Sequence, residues 1–233
     1  MSLEDIYRTG AHSQLAPTWH VDESAAKARE ILRLMESHQL TPRTICEVGC
    51  GAGEVLRQLQ VALPDDTEFT GYDISPQAIE LAQPRANERL HFRLGDFTQE
   101  DAGSYDMLLV LDVLEHLEDY FSFLRSLKAR GMYKMFFFPL DLSVQSVIRP
   151  HGLLHTRDVF AHLHYFTRET ALRTLEDTGY RILDAVYTSD ALDSPTRLPG
   201  RRLLRWPRKA AFALNHDIAA HLLGGYRLLV LAQ

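Results

Sequence analysis

The chain has 233 residues, 45% of them apolar, and its 31 acidic against 25 basic side chains give a formal charge of −6. That balance argues against a nucleic-acid binder, which needs a dominantly basic surface to neutralise phosphates, and the length suits one sizeable core rather than two. No run approaches the roughly 18 apolar residues of a membrane span, the opening MSLEDIYRTG carries no apolar signal core, and Cys46 and Cys50 form no disulfide framework; a cytoplasmic protein is expected.

The chain reads in four parts: a leader over 1–21, a core over 22–189, an insertion over 190–225 and a closing strand over 226–233. The leader places Trp19 and His20 just ahead of the first helix, where they suit a cover over a site. Residues 23–38 space Ala28, Ile31, Leu32 and Met35 along one face of an amphipathic helix. Strands are expected at 44–49, 68–73, 90–95, 106–112, 132–139, 180–188 and 226–232, and helices at 54–63, 76–83, 118–130 and 168–178. Ser75 and Thr167 supply N-caps, Pro76 a first helical residue and Gly179 a stop. Strands alternating with helices imply parallel pairing, and the nearly continuous apolar runs at 106–111 and 134–138 imply a sheet covered on both faces. The pattern predicts a doubly wound α/β domain with its ligand at the carboxyl ends of the strands.

The stretch EVGCGAG at 47–53 closes the first expected strand with Gly49, Gly51 and Gly53, a loop that lets backbone approach a ligand. Glu54 stands where a dinucleotide fingerprint needs its third glycine, which disfavours a nicotinamide dehydrogenase, and no Lys-Ser/Thr pair makes a P-loop. Glu47, Asp73, Asp96 and Asp112 fall at successive strand ends. Such a ring of carboxylates repels a pyrophosphate and suits a ligand with positive charge and a ribose diol, as S-adenosylmethionine has.

Glu47-Val-Gly-Cys-Gly-Ala-Gly53, Gly71-Tyr-Asp73-Ile-Ser75, Gly95-Asp96-Phe97 and Leu111-Asp-Val-Leu-Glu-His116 resemble the successive motifs of class I S-adenosylmethionine-dependent methyltransferases, most of all the small-molecule branch of quinone-biosynthesis enzymes. The resemblance covers residues 20–189 and the closing strand. It implies a Rossmann-like, seven-stranded, mainly parallel sheet with an antiparallel last strand. It also implies roles: Asp73 for the ribose hydroxyls, Asp96 for the adenine amino group with Phe97 or Ile74 against the ring, and Glu47 with the glycine loop for the methionine portion. Backbone at Leu111 and Asp112 is then expected near the sulfonium, and His116 in the pocket. A methyl transfer is expected, to oxygen more than to nitrogen or carbon, on a small or lipid-like acceptor; the alternative is a non-catalytic module that keeps the fold.

On the acceptor side, a histidine-rich passage runs from His151 to Thr167. His162 or His164 could be a general base, because a neutral imidazole can take an acceptor's hydroxyl proton, or could merely orient the loop. The spacings of these histidines and Asp141 match no compact metal set, so no metal is expected. Within the insertion, five cations at 201–209 interleave with Leu203, Leu204 and Trp206, which suits either a solvated surface helix or plain loop, or a lid that meets an anionic acceptor or a membrane surface. Oligomeric state is not legible.

Overall fold

A computed structural model of the chain describes residues 21–101, 103–188 and 205–233. The leader's Trp19 and His20 and the first part of the basic run, 201–204, therefore lie outside the described residues. Helix α1 (Val21–Ser37) buries Ser24, Lys27, Ala28, Ile31, Leu34 and Met35, a stripe at helical spacing. Five strands and three helices follow: β1 (Thr44–Val48), α2 (Glu54–Ala62), β2 (Glu68–Asp73), α3 (Pro76–Ala82), β3 (Leu90–Leu94), β4 (Tyr105–Leu111), α4 (Tyr120–Leu127) and β5 (Gly131–Leu140). The rest comprises α5 (Val144–Ile148), α6 (His151–Phe160), α7 (Arg168–Asp177), β6 (Ile182–Thr188), α8 (Arg205–Leu214), α9 (His216–Leu223) and β7 (Tyr226–Ala232).

One sheet orders the strands 3-2-1-4-5-7-6. The first five are mutually parallel, and β7 runs antiparallel to both β5 and β6. Alternate residues of β5 serve opposite faces: Phe136 and Phe138 pack with Val110 and Leu228, whereas Met135 and Phe137 pack with Leu109 and Leu229. Its continuous apolar run thus reflects two cores, one on each face. Strand order reverses where β1 pairs with both β2 and β4, so the crevice beyond Val48 and Leu111 is where a doubly wound sheet takes its ligand.

The caps form as the residue types require. Ser75 accepts from the Ala78 N–H at 3.4 Å, Thr167 from that of Thr170 at 3.3 Å and Asp119 from that of Ser122 at 3.0 Å. The Asp119 cap starts α4 two residues later than the pattern suggested; ahead of it Leu114–His116 is a 3-10 turn, and Asp112, at φ 53°, stands outside any helix.

One correction concerns a helix. The histidine passage is not wholly loop, since α6 spans its first ten residues and ends at Ala161, whose left-handed φ of 60° turns the chain. Of the two plain readings of the basic run, helix and loop, its described part takes the helix: α8 begins at Arg205, with Pro207 in its first turn, and α9 follows from an Asn215 cap. Phe212 stacks on Tyr226 at 4.6 Å and the Arg208 guanidinium donates to the Leu223 carbonyl at 2.8 Å, which ties this pair to the start of β7.

Candidate functional site

A cavity of about 840 Å³ opens at the carboxyl ends of β1, β2, β3 and β4 and continues toward α6. Ten of the predicted site residues, Glu47, Gly49, Gly51, Asp73, Ile74, Asp96, Phe97, Leu111, Asp112 and His116, line it, as does His162. Gly53 and His164 do not. Gly53 is instead a packing position, with φ 73° and a Cβ site that would lie 2.3 Å from the Phe92 ring. His164 turns to the chain itself: its Nε2 lies 2.8 Å from the Leu117 carbonyl and its ring packs edge-on to Tyr120.

At the sheet end, Asp73 is gripped by backbone. Its two carboxylate oxygens accept from the N–H groups of Gly51 and Ser75, each at 2.9 Å. Burial pushes the carboxyl up, and these amide donors oppose that shift. The second lone pair on each oxygen remains for a ligand. Asp96 accepts at one oxygen from the Thr98 N–H at 2.9 Å and hydroxyl at 2.7 Å, beside Phe97, which meets Tyr72 edge-on. Glu54, at the departed fingerprint position, is neutralised by Arg57 at 2.6 Å and Arg85 at 2.7 Å. Hydrogen bonding by Arg57 is the largest pull bringing it down to about 2.

Where β1 and β4 meet, charge is concentrated and dry. Lys27 reaches from α1 to the Asp112 carboxylate, and Glu23 of the same helix pairs with Arg227 of β7 at 2.7 Å. Glu47 is 3% exposed, and its Oε2 has no hydrogen-bond partner among the described residues. Burial raises it to about 8, with Lys27 opposing. In the unfolded chain Glu47 releases its proton near pH 4.5, in the native chain near 8, so its contribution favours folding below the lower value and is lost as pH rises through the higher. The melting temperature of the ligand-free chain is therefore expected to fall between those pH values, and Glu47→Gln to flatten that fall. Equal slopes for the two proteins in a pH series of thermal melts would remove Glu47 as its source.

The opposite end of the cavity carries imidazoles. Asp141, just after β5, holds His162 by an Oδ2 to Nδ1 contact of 2.8 Å, and the His162 ring meets His116 edge-on at 5.0 Å. His116 Nδ1 lies 3.3 Å from the Ala161 carbonyl. Glu115, fully buried, anchors this segment through its backbone carbonyl, which accepts from Leu163 at 2.7 Å and His164 at 3.2 Å. Ligand-type atoms of Glu115, His116 and His162 lie within 4.8 Å of one another. Spacing within the histidine passage pointed away from a metal set. Two of these three residues come from the turn after β4, outside the passage whose spacings were considered.

Lys27, Glu115 and the orienting role of Asp141 were not foreseen. Lys27 does leave a signal, since it occupies a buried-stripe position of α1 beside Ala28 and Ile31. Glu115 lies inside the motif ending at His116, but nothing local distinguishes it from a solvated glutamate.

Residues 46–130 match the family described as Methyltransferase domain. Ajmaline N-methyltransferase of Rauvolfia serpentina is 32% identical over 93 residues, 37% of this chain and 31% of that protein. Ubiquinone biosynthesis O-methyltransferase of Vibrio parahaemolyticus is 26% identical over 123 residues, 49% of this chain and 51% of that protein. The chain thus spans between about a third and about half of the length of these curated relatives. Among solved structures, magnesium protoporphyrin IX methyltransferase of Synechocystis with bound S-adenosylhomocysteine superposes with a TM-score of 0.61 at 18% identity, covering 90% of this chain and 83% of that one. Residues 46–130 thus carry a methyltransferase-domain match, set in a sheet whose fold is shared with the Synechocystis enzyme. The sequence relatives include both O- and N-methyltransferases.

Proposed function

We propose that the chain moves the methyl group of S-adenosylmethionine to an oxygen of a small or lipid-like acceptor. The observation that carries this is a single cavity with the Gly49–Gly51 loop, Glu47 and Asp73 at one end and the Asp141-held His162 at the other. The cofactor's ribose would meet Asp73, its adenine Asp96, Ile74 and Phe97, and its cationic methionine end Glu47. Leu111 and Asp112 would then flank the sulfonium, with His116 and His162 facing the methyl group. Holding acceptor oxygen, methyl carbon and sulfur in line accounts for much of such a reaction's acceleration, and His162 is the residue we assign to activating the acceptor. The relative named for ubiquinone biosynthesis O-methylation supports oxygen, and the alkaloid relative keeps nitrogen as the competing outcome. Thermal shifts with S-adenosylmethionine, S-adenosylhomocysteine and NAD, followed by methyl-transfer assays on hydroxyl and amine acceptors, test the assignment. A response to NAD alone would overturn it. Cofactor binding without methyl transfer to any acceptor would make the chain a binding module instead.

The lipid-like part of the proposal draws on the cover of the cavity. Thr156 and Phe160 of α6 and Gly225 beside α9 line the mouth. Of the eleven large apolar side chains exposed among the described residues, seven lie on α5, α6, α8 and α9: Val144, Val147, Ile148, Leu154, Leu214, Ile218 and Leu222. Apolar surface flanked by cations fits an acceptor with a greasy body, or the anionic membrane that carries it, and no helix among the described residues is long and apolar enough to cross a membrane. The leader over 1–21 and the insertion over 190–225 are assigned to closing the site and excluding water. Replacing Arg201, Arg202 and Arg205 by Gln is expected to weaken binding to anionic vesicles by roughly 10²-fold, at about 1 kcal/mol per cation, and less so at high salt. Unchanged vesicle binding and unchanged acceptor KM would make the segment ordinary surface.

A further inference from the structure

We propose that Glu115, His116 and His162 bind one divalent transition-metal ion at the acceptor end of the cavity. Three independent features of the site converge on it. First, one ligand-type atom from each of the three residues falls within 4.8 Å of the others, and small side-chain rotations bring such a set to the bond lengths of about 2.0–2.1 Å that imidazole and carboxylate ligands take on zinc. Second, both imidazoles have Nδ1 engaged by an oxygen acceptor, His162 by Asp141 at 2.8 Å and His116 by the Ala161 carbonyl at 3.3 Å. A histidine whose Nδ1–H is donated in this way presents Nε2 as a lone pair, and this outer contact is what metal-ligating histidines normally have. Third, Glu115 has no exposed surface, lines the cavity, and neither of its carboxylate oxygens has a hydrogen-bond partner among the described residues.

That third feature is costly without a cation. The Glu115 carboxylate, with no hydrogen bond among the described residues and the His116 Nε2 only at 3.9 Å, must either keep its proton or find positive charge. The ammonium nearest in kind, Lys27, is committed to Asp112. Two imidazole nitrogens and one carboxylate oxygen are a donor set for zinc, cobalt or manganese rather than for magnesium or calcium, which prefer oxygen throughout.

Binding of the ion stands on these contacts alone, whereas its use rests on the methyl-transfer function proposed above. Three protein ligands leave a position open toward the cavity, where an acceptor hydroxyl would coordinate and lose its proton to solvent more readily. The oxygen–methyl bond then forms as the methyl–sulfur bond breaks, and the sulfonium leaves as a neutral thioether. His162 activates the acceptor in this scheme by holding the ion.

The test uses the full chain stripped with a chelator and titrated with Co²⁺ or Zn²⁺ in the absence of acceptor. Saturable binding of one equivalent, with visible Co²⁺ bands shifted by imidazole coordination, is expected. Glu115→Gln and His116→Ala should each weaken it by at least about 10-fold, and Asp141→Asn by about 10- to 100-fold. Calorimetry with S-adenosylhomocysteine on the same variants should give unchanged affinity, which excludes misfolding as the cause. Absence of saturable Co²⁺ binding by the unmutated chain, or binding that survives both ligand substitutions, overturns the proposal. Failure of S-adenosylhomocysteine to bind the unmutated chain would instead count against the proposed function, so the two failures are distinguishable.

Discussion

Asp73→Asn is expected to weaken S-adenosylhomocysteine binding by about 2–4 kcal/mol, roughly 30- to 700-fold, because two charge-assisted hydrogen bonds to ribose hydroxyls are lost together. The geometry makes the effect large. One carboxylate oxygen is fixed by the Gly51 amide and the other by the Ser75 amide, so the group is pre-oriented before a ligand arrives. An amide in its place must turn its NH₂ toward one of those backbone donors, and it offers a single acceptor oxygen to a diol. Calorimetry checks this directly, and an affinity within a factor of two or three of the unmutated chain would remove Asp73 from the ribose site.

His162→Ala should lower turnover by about 10²- to 10⁴-fold and leave S-adenosylhomocysteine affinity intact. It is the imidazole that faces the cavity and is positioned by a carboxylate. His164, two residues on, does not line the cavity and is engaged by the Leu117 carbonyl, so His164→Ala serves as the control for disturbance of the loop. Equal losses in the two variants would mean that the passage acts by shape rather than through His162.

What the sequence made legible follows from how local each signal is. Strand-end carboxylates and the glycine loop are set by a few neighbouring residues and an alternation of strand with helix. Glu47, Asp73, Asp96 and Asp112 consequently arrive at one crevice as the pattern demands. The order of β7 between β5 and β6 came only with the resemblance to the family, since no spacing encodes which edge a last strand joins. The acceptor end was hard for the opposite reason. Its partners are far apart in the chain, His162 with Asp141 and both with a turn that starts at Leu114, and a pair 21 residues apart leaves no period to read. The sequence left α8 open between helix and loop because a proline and a dense run of arginines mask its period, while its anchoring to Tyr226 is tertiary.

The strand order has a consequence for how the protein is made. Among the described residues, β6 pairs with β7 alone, and β5 is separated from it by that same strand. Until Tyr226–Ala232 has been synthesised and inserted, the apolar edge Met135–Phe138 stays without a neighbour on one side and β6 has no place in the sheet. Nascent chains halted anywhere between these strands therefore expose a sticky β edge, the kind of surface that recruits another copy. The intervening segment can vary in length at little entropic cost, because loop closure depends only logarithmically on the number of residues. Chaperone demand during translation and tolerance of a remodelled cover thus have a common origin: the latest of the seven strands in chain order is the one that joins β6 to β5.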